Sequence, residues 1–156
     1  MDRGTTMSRM ALVATLLLCA SSPSLFAGEY QDDLKARRAR VMESLDAGTV
    51  MIAWSAPARV YSTDVHYEYR QDSNLLYLTG ITQEDTILVL MPGAATKKEV
   101  IFVREPNPRA EHRNGRILTR EGVTGQSGIG TVYCGAQFGP FSAAMFNGRT
   151  FGVRRG

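Results

Sequence analysis

Histidine and cysteine are scarce in this chain, with two of each among 156 residues. A hydrolytic metal site needs several His, Asp or Glu ligands that converge on one point. His66 and His112 belong to no His-Glu-x-x-His or comparable spacing, and the pair of Asp64 and His66 has no companion ligand. We therefore expect Asp64 and His66 to form ordinary surface hydrogen bonds, and the chain to bind no metal or other cofactor by itself.

Long runs of basic residues are also missing. The formal net charge is only +3, and a nucleic-acid surface needs Lys and Arg clustered on one face. The closest candidates are Arg37, Arg38 and Arg40, which we predict to form a helix surface, and the terminal pair Arg154-Arg155. The sequence predicts no nucleic-acid partner.

Nucleophile and phosphate-binding motifs are absent as well. No Gly-x-Ser-x-Gly occurs. The glycine-rich run Gly122–Gly130 lacks both the Gly-Lys-Ser/Thr of a phosphate loop and the third glycine of a dinucleotide fingerprint, so we predict a flexible helix-to-strand turn. Cys134 ends an apolar run, which is typical of a small buried hydrophobe and not of a nucleophile.

The start of the chain has the pattern of a secretory signal peptide. Residues 1–10 carry two arginines, residues 11–19 are apolar, and a region of small residues ends at Ala27, where we expect cleavage. The apolar stretch is too short to span a bilayer, and a single uncleaved anchor is the alternative. We expect a secreted or periplasmic protein with no stable membrane anchor. Its mature part, residues 28–156, is sufficient for one domain and has one cysteine, so no internal disulfide can form.

The predicted elements favour an α/β layered domain. The strands are continuously apolar, so both faces of the sheet should be covered. Turn residues Pro92-Gly93 predict a hairpin between two of the strands. The predicted helices are Glu29–Leu45, Gly115–Glu121 and Gln137–Phe146, the last with Phe138, Phe141, Met145 and Phe146 as its apolar side. The predicted strands are Thr49–Trp54, Asn74–Leu78, Asp85–Met91, Glu99–Val103 and Thr131–Cys134, and Ser55–Asp64 is a predicted loop.

The stretch TDVHYEYRQDSNLLYLTGITQEDTILVLMP, residues 63–92, closely resembles the signature of the aminopeptidase P (Xaa-Pro aminopeptidase) N-terminal domain, in metallopeptidase family M24. The flanking stretches ARRARVMESLDAGTVMIAWSAP and EHRNGRILTREGV resemble the same domain, so the resemblance covers residues 34–133. The matching residues of the signature are Asp64, Tyr67, Tyr69, Arg70, Gln71, Asp72, Ser73, Tyr77, Leu78, Thr79, Gly80 and Asp85.

The resemblance implies a mixed β-sheet flanked by helices, of the creatinase/aminopeptidase P N-terminal type and incomplete at its C-terminal end. Residues 28–147 would be this partial domain and residues 148–156 an unstructured tail. In the family, a separate pita-bread domain holds two metal ions, usually manganese, and hydrolyses the bond before a proline at the second position of a peptide. We expect that domain to be absent here, and the chain to be truncated and inactive alone. The full enzyme would be a homo-oligomer that acts on proline-containing peptides.

By the same resemblance, Asp64 and Arg113 would lie at the rim of a neighbouring subunit's active site. The family has Trp where this chain has Arg113, which exchanges an aromatic wall for a long cation. The remaining signature positions are predicted to be structural: Tyr67, Arg70, Gln71, Asp72, Ser73, Tyr77 and Gly80.

Arg70, Gln71 and Asp72 are expected to tie the loop before the second strand to the sheet through side-chain-to-backbone hydrogen bonds. Replacing Arg70 by alanine should then lower stability more than it changes any ligand affinity. Two alternatives stay open for the whole chain: a stand-alone binding or oligomerisation module, and the N-terminal domain of a creatinase-type amidinohydrolase.

Overall fold

The computed structural model of the chain describes residues 24–62, 65–106 and 117–147. The chain divides into two units, Met1–Tyr30 and Gln31–Gly156. Helix α1 spans Ser24–Glu43. Its opening turns are the described part of the first unit, and the rest of the helix belongs to the second unit. Within the described ranges, every helix is too short or too polar to span a bilayer. The predicted tail, residues 148–156, lies outside these ranges, as does most of the predicted signal peptide.

The second unit contains both strands and helices. In chain order after α1, the described elements are β1 (Met51–Trp54), β2 (Val60–Ser62), β3 (Val65–His66), α2 (Ser73–Thr79), β4 (Ile87–Leu90), β5 (Glu99–Val103), α3 (Arg120–Ser127), β6 (Val132–Cys134), a 3₁₀ turn (Gly135–Gln137) and α4 (Phe138–Phe146). Strands β2 and β3 form a separate antiparallel ribbon. Part of the predicted loop Ser55–Asp64 is therefore strand.

Four strands form one mixed sheet in the spatial order β1-β4-β5-β6. The β1–β4 and β4–β5 pairs are antiparallel, and the second pair is the hairpin predicted around Pro92-Gly93, with Leu90 opposite Glu99. Strand β6 pairs with β5 in parallel, which requires a crossover, and α3 lies in that connection. The predicted mixed α/β sheet is confirmed.

Helices cover both faces of the sheet. Side chains alternate between the faces along each strand, so Leu88 and Ile101 join one buried cluster while Val89 and Phe102 join another. The first cluster takes Val41 and Met42 from α1, Leu75 and Leu78 from α2 and Val123 from α3. The second takes Phe138, Phe141 and Met145 from α4. Burial on both sides explains why the strands are continuously apolar.

The predicted strand Asn74–Leu78 is wrong, because this segment is helix α2. The Asp72 carboxylate accepts hydrogen bonds from the backbone N–H groups of Asn74 and Leu75, which satisfies donors that a helix start leaves unpaired. Gly80 ends the helix with a φ of 70°, a left-handed conformation that favours glycine. Leu75 and Leu78, three residues apart, are the buried face.

Two other predictions also need correction. The glycine-rich run is a helix-to-strand connection only from Gly128 onward, since α3 extends from Arg120 to Ser127 and Gly128 caps it at a φ of 72°. The helix predicted at Gly115–Glu121 thus begins later, at Arg120. At the end of α4, Phe146 was placed on the apolar side, yet it is 63% exposed.

Candidate functional site

A cleft of about 650 Å³ opens beside the segment that leads into α2. One wall is Ala56, Pro57 and Arg59, from the chain that follows β1, and the other is the run of residues 67–73. The signature residues from Tyr67 to Ser73 therefore lie together along one cleft.

Gln71 is the polar centre of this region and is only 7% exposed. Its Oε1 accepts hydrogen bonds from the Ala56 N–H at 3.2 Å and from the Tyr69 hydroxyl at 2.8 Å. Its Nε2 donates to the carbonyl oxygens of Ile81 at 3.3 Å and Gln83 at 2.8 Å. Both amide hydrogens are used, so Gln71 joins the two walls of the cleft to the chain that follows α2.

The side-chain bonds predicted for Gln71 and Asp72 are present, but those predicted for Arg70 are not. The Asp72 Oδ1 accepts from the N–H of Asn74 at 2.9 Å and of Leu75 at 3.0 Å. Arg70 is exposed, and its guanidinium has no hydrogen bond or ion pair within the described residues. The loop is therefore held by Gln71 and Asp72, which leaves Arg70 available at the surface of the cleft.

Tyr69 is held as a neutral phenol. Burial raises the pKa of Tyr69 above its usual value, and the negative charges of Glu84, Asp85 and Asp72 raise it further. A hydrogen bond from Ser55 opposes this rise in the pKa. At neutral pH the hydroxyl is thus a hydrogen-bond donor within the cleft wall and not a base.

The other end of the signature has a structural role. The Arg37 guanidinium lies over the Tyr77 ring, with its Cζ 4.4 Å from the ring centroid. The Tyr77 carbonyl oxygen also accepts a hydrogen bond from Arg37 Nη1 at 3.0 Å. Tyr77 and Gly80 do not line the cleft. They fix α1 against α2 and end α2.

The two predicted rim residues, Asp64 and Arg113, lie outside the described residues, so their role stays a prediction. Across residues 24–62, 65–106 and 117–147, no three His, Cys, Asp or Glu side chains come together as metal ligands would. This part of the chain does not fit a pair of manganese ions.

Cys134 is half-buried rather than buried, and the Gln137 side chain accepts its N–H at 3.1 Å. The cleft offers the exposed guanidinium groups of Arg59 and Arg70, the exposed carboxylate of Glu68, the Gln71 amide and the neutral phenol of Tyr69. The fold is that of a mixed α/β domain, and the cleft is its candidate binding site.

The comparisons with known proteins agree with this class. The family model described as aminopeptidase P, N-terminal domain, matches residues 34–152. The chain belongs to this family. The resemblance inferred from residues 63–92 is thereby confirmed.

Similar proteins are peptidases several times longer than this chain. The Xaa-Pro aminopeptidase of Haemophilus influenzae is 29% identical over 108 residues, which are 69% of this chain and 25% of that protein. Among solved structures, aminopeptidase PepP of Pseudomonas aeruginosa aligns with a TM-score of 0.69 and 28% identity over 74% of this chain and 26% of its own. A low-pH form of Escherichia coli aminopeptidase P aligns with a TM-score of 0.68 and 25% identity over the same shares.

The chain thus spans about a quarter of the length of these relatives. The matched quarter is the N-terminal domain, and these 156 residues do not include the catalytic domain of those enzymes.

Proposed function

We propose that this chain serves as the N-terminal, non-catalytic domain of a manganese-dependent Xaa-Pro aminopeptidase, an enzyme that removes the residue preceding a proline from peptides. The observation behind the proposal is the family match over residues 34–152. The metal ions and the hydrolytic step belong, on this proposal, to the catalytic domain of the enzyme.

The domain's role in the enzyme would be assembly and the shaping of the substrate entrance. Asp64 and Arg113 would stand at the rim of a neighbouring subunit's active site in a homo-oligomer. Arg113 would bring a positive charge to a position where the family has an aromatic side chain.

A peptidase assay tests the central claim. The purified chain, supplied with Mn²⁺, is incubated with an Xaa-Pro peptide, and the free N-terminal residue is quantified. We expect no turnover by the chain, while the Escherichia coli aminopeptidase P in the same buffer serves as the positive control. Turnover by the chain that a chelator abolishes would overturn the proposal.

We also propose export through the N-terminal leader. In a bacterial host, the chain recovered from the periplasm should begin at Gly28 by N-terminal sequencing. A matched variant, Leu17→Arg, interrupts the apolar core of the leader and should leave the chain in the cytoplasm. Recovery of the unaltered chain only from the cytoplasm, with Met1 retained, would contradict export.

The alternative of a self-sufficient oligomerisation module can be tested by the oligomeric state of the chain. Such a module would give one defined oligomer at all concentrations in light scattering coupled to gel filtration. The relatives described above are peptidases, which favours the aminopeptidase branch over the creatinase-type amidinohydrolases.

A further inference from the structure

We infer that the cleft between Ala56 and Ser73 binds a carboxylate of a peptide, through the guanidinium groups of Arg59 and Arg70. That the ligand is a peptide rests on the proposed function, whereas the carboxylate preference rests on the geometry of the cleft. Arg113 and Asp64 play no part in this inference.

The unused charged donors of the cleft are its two arginines. Arg59 and Arg70 both line the cleft and are exposed, and neither guanidinium has an acceptor within the described part of the chain. The Tyr67 N–H donates to the Arg59 carbonyl at 2.9 Å, which fixes the Arg59 backbone beside the second wall. Two arginines without a partner among the described residues thus line one cleft.

The acidic residues of the cleft differ in their availability. Asp72 is occupied with the N–H groups of Asn74 and Leu75 at the start of α2. Glu68 is exposed in the lining and forms no ion pair with Arg59 or Arg70. A bound anion would therefore meet repulsion mainly from Glu68.

Gln71 and Tyr69, which line the cleft, are hydrogen-bonded within the protein. Both hydrogens of the Gln71 amide are used internally, and the Tyr69 hydroxyl donates its single proton to Gln71 Oε1 at 2.8 Å. The charged donors left for a ligand are therefore the arginines, while the rings of Tyr67 and Pro57 offer apolar surface.

A carboxylate is the group that fits this arrangement. Guanidinium pairs bidentately with planar anions such as carboxylate, and these charge-assisted bonds are strong. The volume of about 650 Å³ is in the usual range of ligand sites and admits a short peptide.

The test is a binding titration of the purified chain, monitored by ¹⁵N NMR. A chelator is present so that no peptidase can act. The probes are acetyl-Ala-Pro-Ala-Ala with a free C-terminus, the same peptide as its C-terminal amide, and acetyl-Ala-Pro-Glu-Ala amide. We expect shifts in residues 56–59 and 67–73 with the free acid, and roughly tenfold weaker binding of the uncharged amide. The glutamate peptide shows whether a side-chain carboxylate serves as well as the terminal one; binding by either supports the inference.

Three variants and one control identify the residues. Arg59→Gln and Arg70→Gln should each weaken binding of the free acid about tenfold, while Glu68→Gln should leave it unchanged or tighter. The control, Arg120→Gln, changes an exposed arginine on α3 that pairs with Glu105 outside the cleft, and it should bind like the parent chain. Thermal melting shows that each variant is folded.

Equal binding of both carboxylate peptides and the uncharged amide would overturn the inference, and so would parent-like binding by both cleft variants or no saturable binding up to about 10 mM. None of these outcomes bears on the peptidase assay, so the two proposals fail separately.

Discussion

Arg38 of α1 lies fully inside the domain, with its Nε 3.0 Å from a carboxylate oxygen of Glu99 at the start of β5. Its Nη1 donates to the carbonyl oxygens of Leu78 at 2.9 Å and Ser127 at 3.0 Å. These two carbonyls belong to the last turns of α2 and α3, where a cation is favourable. One guanidinium therefore joins three helices to the sheet, and the predicted helix surface at Arg38 is wrong.

We expect Arg38→Ala to lower the free energy of unfolding by about 3–5 kcal/mol, because it leaves a partly buried carboxylate and two carbonyls without their donor. Urea denaturation followed by circular dichroism measures this loss. The matched control is Arg37→Ala, one residue away. Arg37 is more exposed and pairs with Asp33, so its loss should be about 1 kcal/mol or less. Equal losses for the two variants would contradict the role given to Arg38.

Gln71 should matter far more for stability than its neighbour Arg70. Gln71→Glu removes both N–H donors and turns a carboxylate towards the carbonyls of Ile81 and Gln83, so we expect a loss of about 2–4 kcal/mol. Arg70→Ala should change stability by less than about 0.5 kcal/mol, contrary to the expectation from sequence. The two melting curves, measured side by side, decide the point; a comparable loss at Arg70 would show that it holds the loop after all.

The sheet could be predicted from sequence because its signal is local. Strands β4 and β5 are continuous apolar runs on either side of a Pro-Gly turn, and both were placed correctly. Helix α2 was missed because a short apolar run has no period that separates strand from helix. The deciding cues were outside the run, in the cap at Asp72 and the glycine at Gly80.

The candidate site was less predictable, since its contacts join distant parts of the chain. Arg38 follows Leu34 by four residues and so shares its buried face, but its acceptors come from α2, α3 and β5. Arg59 lines the same cleft as Arg70 because the β2–β3 ribbon returns the chain beside it. Such pairings depend on the assembled fold, which local patterns do not encode.

Two glycines should respond in opposite directions to the same change. Gly80 has a φ of 70°, so Gly80→Ala should cost about 1 kcal/mol. Gly125 lies inside α3, and an added Cβ there meets nothing within 4 Å. Gly125→Ala should therefore stabilise the chain by about 0.5–1 kcal/mol, since alanine is the better helix former. Thermal unfolding of both variants tests the pair; destabilisation at Gly125 would place that residue outside a regular helix.

Stability at alkaline pH should depend on Tyr69. Burial raises the pKa of Tyr69 above its usual value, so the unfolded chain loses the phenol proton at a lower pH than the folded chain. From about pH 10 up to the folded pKa, the folded chain binds more protons, and its stability falls as the pH rises. Below about pH 10 this contribution is fully present.

We expect Tyr69→Phe to lose about 1 kcal/mol at neutral pH with its hydrogen bond, and to show a flatter decline above about pH 10 than the parent chain. Ser55→Ala should have the opposite effect on the alkaline decline. Because the Ser55 hydrogen bond lowers the pKa of Tyr69, its removal should extend the alkaline decline to higher pH. Urea titrations at a series of pH values measure both slopes. A Tyr69→Phe chain whose stability falls as steeply as the parent's would show that another group causes the decline.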